Sequence, residues 1–200
     1  MRPSLRVNVN SGILIYGLRL HVFFMNKHYA EILVKRWLLI EGATLYNRGM
    51  EIIEFFTCSD ADRQHWLEEI GKSDWGAGIY LYELLRDGKL RRLCGQATKV
   101  LMLTEGRNIV SFCTYAPQDD IPAPELTPWM GFVYTFPKYR GNRMFGKLVE
   151  HAVKLAKADS FERIYVSTLE TGLYEKYGFT FFQMMTDIHG GPSRVYSRKV

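Results

Sequence analysis

The chain has 200 residues, 47% of them hydrophobic and 24% charged, which suits a soluble globular domain, alone or with an extension, and provides enough length to bury a sizeable core. Its net charge of +5 comes from residues 1–49, where Arg2, Arg6, Arg19, Lys27, Lys35, Arg36 and Arg48 face only Glu31 and Glu41, and the remaining 19 basic and 19 acidic residues cancel. A neutral body argues against general nucleic-acid binding there. Three dispersed cysteines (Cys58, Cys94, Cys113) with no CxxC pair argue against a disulfide framework or a zinc site and fit a reducing cytoplasm.

Residues 12–25 are apolar but short, and Arg19 and His21 interrupt them, whereas a membrane span needs about 20 apolar residues. Arg2 and Arg6 ahead of this stretch resemble the start of a signal peptide, but no small-x-small cleavage site follows. The charge asymmetry ends at Met50, so residues 1–49 are expected to be an extension and 50–200 the working domain, with Met50 as a candidate start in its own right. A competing reading makes about Tyr29–Ile40 an amphipathic helix through Ile32, Leu33, Leu39 and Ile40.

Glu51–Phe56 reads as a strand. Ser59 with Asp62 forms a capping-box pattern for a helix through about Ile70. A second helix is expected over Ile79–Arg86, with Leu81, Leu84 and Leu85 on one side and Asp87-Gly88 as its stop. Strands follow at Lys99–Thr104 and Asn108–Tyr115. The loop Ala116–Pro128 carries four prolines and the Asp119-Asp120 pair, so it is expected to be polar and exposed. Trp129–Phe136 is a nearly continuous apolar run and predicts a central strand covered on both faces. Pro137 ends it. A helix over about Arg143–Ala158 has an apolar stripe of Leu148, Ala152, Leu155 and Ala156. Phe161–Thr168 reads as a strand, Leu173–Tyr177 as a short helix, and Phe179–Thr186 and Ser193–Val200 as strands. The sum is an α+β domain.

Two segments carry chemistry. In Pro137-Lys138-Tyr139-Arg140-Gly141-Asn142-Arg143-Met144-Phe145-Gly146-Lys147-Leu148 a strand stops, a glycine-containing turn follows and an apolar-periodic helix begins. The first N–H groups of a helix lack internal partners and sit at the positive end of its dipole, where phosphate oxygens bind. Gly141 allows a tight turn, and Arg140, Arg143 and Lys147 add charge suited to a pyrophosphate. An ordinary strand–helix turn with solvated charges accounts equally well for these residues alone. The second segment is Gly172-Leu173-Tyr174-Glu175-Lys176-Tyr177-Gly178-Phe179, again after a strand.

Taken together, PKYRGNRMFGKL, GLYEKYGF and the strand GFVYT resemble the GNAT superfamily of N-acetyltransferases over about Met50–Val200. The resemblance implies a GNAT fold: a mixed, mostly antiparallel sheet of six to seven strands flanked by about four helices. It also implies acetyl-CoA as co-substrate and no metal. Phe132, Val133, Tyr134 and Thr135 would present a splayed strand to the pantetheine arm. Arg140, Gly141, Asn142, Arg143, Met144, Phe145, Gly146 and Lys147 would hold the pyrophosphate. Tyr174 would protonate the departing thiolate. Arg143 and Phe145 stand where the family loop has glycine and a small residue, and Ser167 stands where the family often has Asn, seven positions before Tyr174.

The implied activity is direct transfer of acetyl to a primary amine on a small molecule or peptide, with no membrane or nucleic-acid partner, and a homodimer is compatible with it. The general base stays open among Glu125, Asp119, Asp120, Glu170, Asp187, His189 and a water chain. Cys113 and His151 read as structural residues. Two other readings are a GNAT-fold acyl-CoA-binding module without catalysis, and an interaction protein acting through the basic residues 1–49.

Overall fold

The structure is a computed structural model, and it describes residues 6–8, 13–15 and 49–200. The chain divides into two compact units, Met1–Gly49 and Met50–Val200. In the first, strands β1 (Arg6–Asn8) and β2 (Ile13–Ile15) pair antiparallel. The segment read as a candidate helix over about Tyr29–Ile40 lies outside the described residues.

The second unit is a seven-stranded sheet with four α-helices. Its strands are β3 (Met50–Glu54), β4 (Lys99–Glu105), β5 (Asn108–Ala116), β6 (Trp129–Thr135), β7 (Arg163–Thr168), β8 (Thr180–Thr186) and β9 (Pro192–Lys199), and they lie in the order β3-β4-β5-β6-β7-β9-β8. Every pairing is antiparallel except β6 with β7. The sheet is therefore mixed and mostly antiparallel, as the fold expectation held.

Helix α1 (Asp60–Ile70) starts where the sequence places it: Ser59 Oγ accepts from the Asp62 N–H at 3.2 Å and donates to Asp62 Oδ2 at 2.8 Å. Helix α2 (Gly76–Arg86) begins three residues earlier than its apolar pattern predicts. Helix α3 (Leu90–Cys94) was not anticipated, and it buries Leu90 and Cys94, four positions apart. Helix α4 (Met144–Ala158) buries Met144, Phe145, Leu148, Val149, Ala152 and Ala156 in one stripe. The predicted short helix at Leu173–Tyr177 is a 3-10 turn over Tyr174–Tyr177. Helices α1, α2 and α3 share one apolar cluster through Trp66, Ile70, Leu81, Leu84 and Leu90, packed on Met102, Phe112 and Tyr134 of the sheet.

The loop between β5 and β6 corrects the sequence reading. It is not a polar, exposed excursion: Ile121, Ala123 and Leu126 are buried in a second cluster with Trp129, Tyr165 and Val195, and Asp119 and Asp120 are half-buried. The apolar residues interleaved among the prolines fold the loop onto the sheet. No helix among the described residues is long and apolar enough to cross a membrane.

Candidate active site

Strand β6 is the middle strand, and two features set it apart. A register shift places Phe112 opposite Tyr134 but Thr114 opposite Gly131, so Phe132 and Val133 share one partner, Cys113. This is a β-bulge, and Phe132 sits in it at φ 48°. On its other side β6 pairs with β7 at one position only, Trp129 with Tyr165. Beyond it the two strands separate. The Phe136 N–H donates to Val110 O on the β5 side, so alternation turns the backbone groups of Val133 and Thr135 toward the gap.

The four predicted strand residues thus differ in what they offer. Val133 and Thr135 face the gap, and the Thr135 carbonyl accepts from Arg140 Nε at 2.9 Å. The Tyr134 carbonyl accepts from Ser111 Oγ at 2.6 Å, its ring stacks on Trp75, and its hydroxyl donates to Asp74 Oδ1. Phe132 leans toward Tyr80, with ring centroids 6.2 Å apart.

The gap leads to the start of α4. Gly141 (φ 80°) and Arg143 (φ 54°) are both left-handed and turn the backbone into a cradle. Among the described residues, the N–H groups of Gly141, Asn142, Arg143, Met144 and Phe145 find no acceptor, and Gly146 is the first to bond back, to Arg143 O at 3.0 Å. The Asn142 side chain does not cap them, because its Nδ2 donates to the carbonyls of Tyr139 and Arg140. A Cβ at Gly141 would meet nothing within 4 Å, so the concave side is open.

The side chains of this turn divide their tasks. Phe145 does not crowd the cradle: it is buried, with its ring edge-on to Tyr174 and Tyr177. Met144 is likewise buried. Arg143 is exposed and forms no ion pair among the described residues. Arg140 turns back, binding Asp74 Oδ1 at 3.2 Å as well as Thr135 O. Asp74 was not singled out from the sequence, and the Tyr134 hydroxyl and then Arg140 hold its carboxyl below the usual range. Lys147 Nζ lies 4.0 Å from Met50 Sδ. Gly146 is tightly packed, since a Cβ there would stand 2.9 Å from Tyr177 Cε1.

Tyr174 stands on the 3-10 turn after β7, buried among Phe145, Phe179 and Tyr196. Its hydroxyl has no hydrogen-bond partner among the described residues. Burial, and then the charge of Asp119, raise its phenol above the ordinary tyrosine value, which keeps the proton on the oxygen. Ser167 spends its hydroxyl elsewhere, at 2.7 Å from Ser193 Oγ.

Asp119 reaches this region from the β5–β6 loop. A Cβ at Gly131 would lie 2.6 Å from Asp119 Oδ1 and 3.0 Å from Thr114 Oγ1, so the carboxylate rests on the bare backbone of β6. A glycine inside a strand was the readable signal of such an approach. Burial, and secondarily Asp120, push the Asp119 carboxyl up to about 7. Cys113 is fully buried with its thiol raised by burial, so it offers no thiolate nucleophile. Among the described residues no cluster of three His, Cys, Asp or Glu could hold a metal ion.

The model of the Acetyltransferase (GNAT) family matches residues 65–179. No curated protein sequence matches the chain. Among solved structures, a protein of the GNAT family from Desulfovibrio desulfuricans is 14% identical with a TM-score of 0.57, over 75% of this chain and 98% of that one. An acetyltransferase from Streptococcus agalactiae is 22% identical with a TM-score of 0.54, over 76% and 99%. An aminoglycoside 6'-N-acetyltransferase complexed with coenzyme A is 13% identical with a TM-score of 0.53, over 74% and 96%. Identities this low speak for the fold, while the family match spans more than half of the chain and includes the helix-start cradle and the Tyr174 turn. The chain belongs to the GNAT family of acetyltransferases.

Proposed function

We propose that the chain transfers acetyl from acetyl-CoA directly to a primary amine on a small molecule or peptide. The observation that carries this reading is the row of five N–H groups from Gly141 to Phe145 that find no acceptor among the described residues, at the end of the gap between β6 and β7, with Phe145 packed against Tyr174. These amides, the α4 dipole and Arg143 suit a diphosphate. The backbone groups of Val133 and Thr135 suit the amide-bearing pantetheine arm, which would add to the edge as a strand does. A backbone N–H at the bulge can polarise the thioester carbonyl, and holding both reactants in one cleft supplies proximity. Tyr174, kept protonated by burial, donates to the departing sulfur. Three free cysteines suit a reducing cytoplasm.

The test is thiol release from acetyl-CoA across a panel of amines, with CoA binding followed by calorimetry. Tyr174→Phe is expected to lower kcat at least tenfold, roughly 1.4 kcal/mol of barrier, while CoA affinity stays nearly unchanged. Full turnover in that variant removes Tyr174 from the reaction. Tight CoA binding with no thiol release for any amine favours a non-catalytic acyl-CoA module.

A further inference from the structure

Amine acylation needs a proton acceptor, because an alkylammonium of pKa near 10 has no free lone pair at neutral pH. The loops and strand ends offer several candidates, which differ in burial and in their hydrogen-bond partners. Asp187 Oδ1 accepts from the His189 and Gly191 N–H groups. Glu125, Glu170 and His189 are exposed. Asp120 lies beside Ser167 and Asp187, with its Oδ1 buried and without a hydrogen-bond partner among the described residues.

Asp119 is placed differently. The residues on either side of it are tied down: Gln118 N–H donates to Cys94 O at 3.1 Å, and Asp120 O accepts from Ile188 N–H at 2.8 Å. Pro117 packs on Gly95, where a Cβ would stand 2.8 Å from its ring. Between these ties the carboxylate lies over Gly131, one residue before the bulge. Gly131 and Thr114 are register partners, and Thr114 shares its face of β5 with Phe112, which packs with α1 and α2. Cys113 points to the opposite face. Asp119 therefore stands on the α1–α2 face, beside the point where β6 opens, and its charge still reaches Tyr174.

Resting on the acetyl-transfer reading above, we propose that Asp119 is the general base that deprotonates the acceptor amine, and that Gly131 gives it the room to do so. The ammonium R–NH3+ passes one proton to the Asp119 carboxylate. The freed lone pair forms the C–N bond to the acetyl carbonyl carbon and the C–S bond breaks. The sulfur takes the Tyr174 phenolic proton, the nitrogen returns its surplus proton to the Tyr174 oxygen, and Asp119 releases its proton to water. The products are the amide, the free thiol and one proton, with no oxidant or further reactant.

The titratable groups around Asp119 are Asp120 beside it, Cys94 at the end of α3 and Tyr174; burial first, and then the Asp119 carboxylate, raise both of the latter. A carboxyl near 7 rather than near 4 makes proton transfer from an amine of pKa near 10 about a thousandfold less uphill.

The experiment measures kcat/KM between pH 5.5 and 10 for wild type, Asp119→Asn and Asp119→Glu with the best acceptor from the amine panel, together with CoA affinity and circular dichroism. Wild type should rise through about pH 7 and level off. Asp119→Asn should fall at least about a hundredfold at pH 7.5 and recover steeply toward pH 10 as the amine loses its proton unaided, with CoA affinity within about twofold. Parallel pH profiles, or an Asn variant within threefold of wild type at pH 7.5, overturn the assignment while leaving acetyl transfer intact. If Asp119→Asn does not fold, Asp119→Glu decides: a retained ascending limb supports the base, and a pH-independent rate overturns it. If wild type itself releases no thiol with any amine, the acetyl-transfer reading fails, and the base assignment with it.

Discussion

Gly146→Ala sets helix propensity against packing. The added methyl would stand 2.9 Å from Tyr177 Cε1, whereas carbon atoms pack comfortably at about 3.5–4.0 Å, so the ring or the helix must yield by roughly 0.6–1 Å. Replacing glycine by alanine gains about 0.8–1 kcal/mol in a helix interior and less at Gly146, which lies in the first turn of α4. Overpacking a tight contact costs about 1–3 kcal/mol, so a net loss of about 1 kcal/mol is expected. For a body of about 150 residues that lowers Tm by roughly 2–4 °C. Activity should suffer more. Tyr177 shares the 3-10 turn with Tyr174, and Phe145 packs against both rings. A displacement near 1 Å at a reacting group can cost about a hundredfold in rate, so kcat should drop at least tenfold with CoA affinity changed far less. Thermal melts paired with thiol-release kinetics make the measurement. A variant that melts higher than wild type and turns over at the wild-type rate would refute the reasoning.

Asp119→Asn should also be read by stability. The folded carboxyl titrates near 7 and the unfolded one near 3.8, so the native state binds the extra proton between these values, and stability from this group is lost as pH rises through 7. The neutral Asn should therefore gain roughly 1–3 kcal/mol over wild type at pH 8 and show no such gain at pH 4, in denaturant titrations at both pH values. Arg143→Ala removes a charge from the mouth of the cradle and is expected to weaken CoA binding about three- to tenfold at low salt, with the difference shrinking at high salt by calorimetry. Ser59→Ala deletes the α1 cap and should cost about 1 kcal/mol in denaturant melts without altering kcat.

Elements with strong local signals were legible: Ser59 set the start of α1, the four-residue recurrence of Leu148, Ala152 and Ala156 marked α4, and the nearly continuous apolar run at Trp129 marked the middle strand. The five residues of α3 are too few for a period to show. The β5–β6 loop misled because prolines and acids dominate its composition while Ile121, Ala123 and Leu126 determine where it lies. At the site, the cradle could be found because a helix start is a local feature. The contacts that shape it are not local. Arg140 meets Asp74 from 66 positions away, Tyr177 decides what Gly146 must be, and Asp119 meets Gly131 only after two strands have paired. The 3-10 geometry at Tyr174 reflects a segment too short to propagate an α-helix.

The extra residue at Phe132 changes the phase of β6. From Gly131 to Tyr134 is three steps, yet their partners Thr114 and Phe112 are two apart on β5, so both look toward α1 and α2. One inserted position thus lets a single strand keep its wall against those helices while exchanging which of its amides look sideways into the cleft. Deleting it would leave Tyr134 opposite Phe112 and close an uninterrupted ladder with β5, so the strand would lose the unpaired residue and the local bend with which it serves its guest.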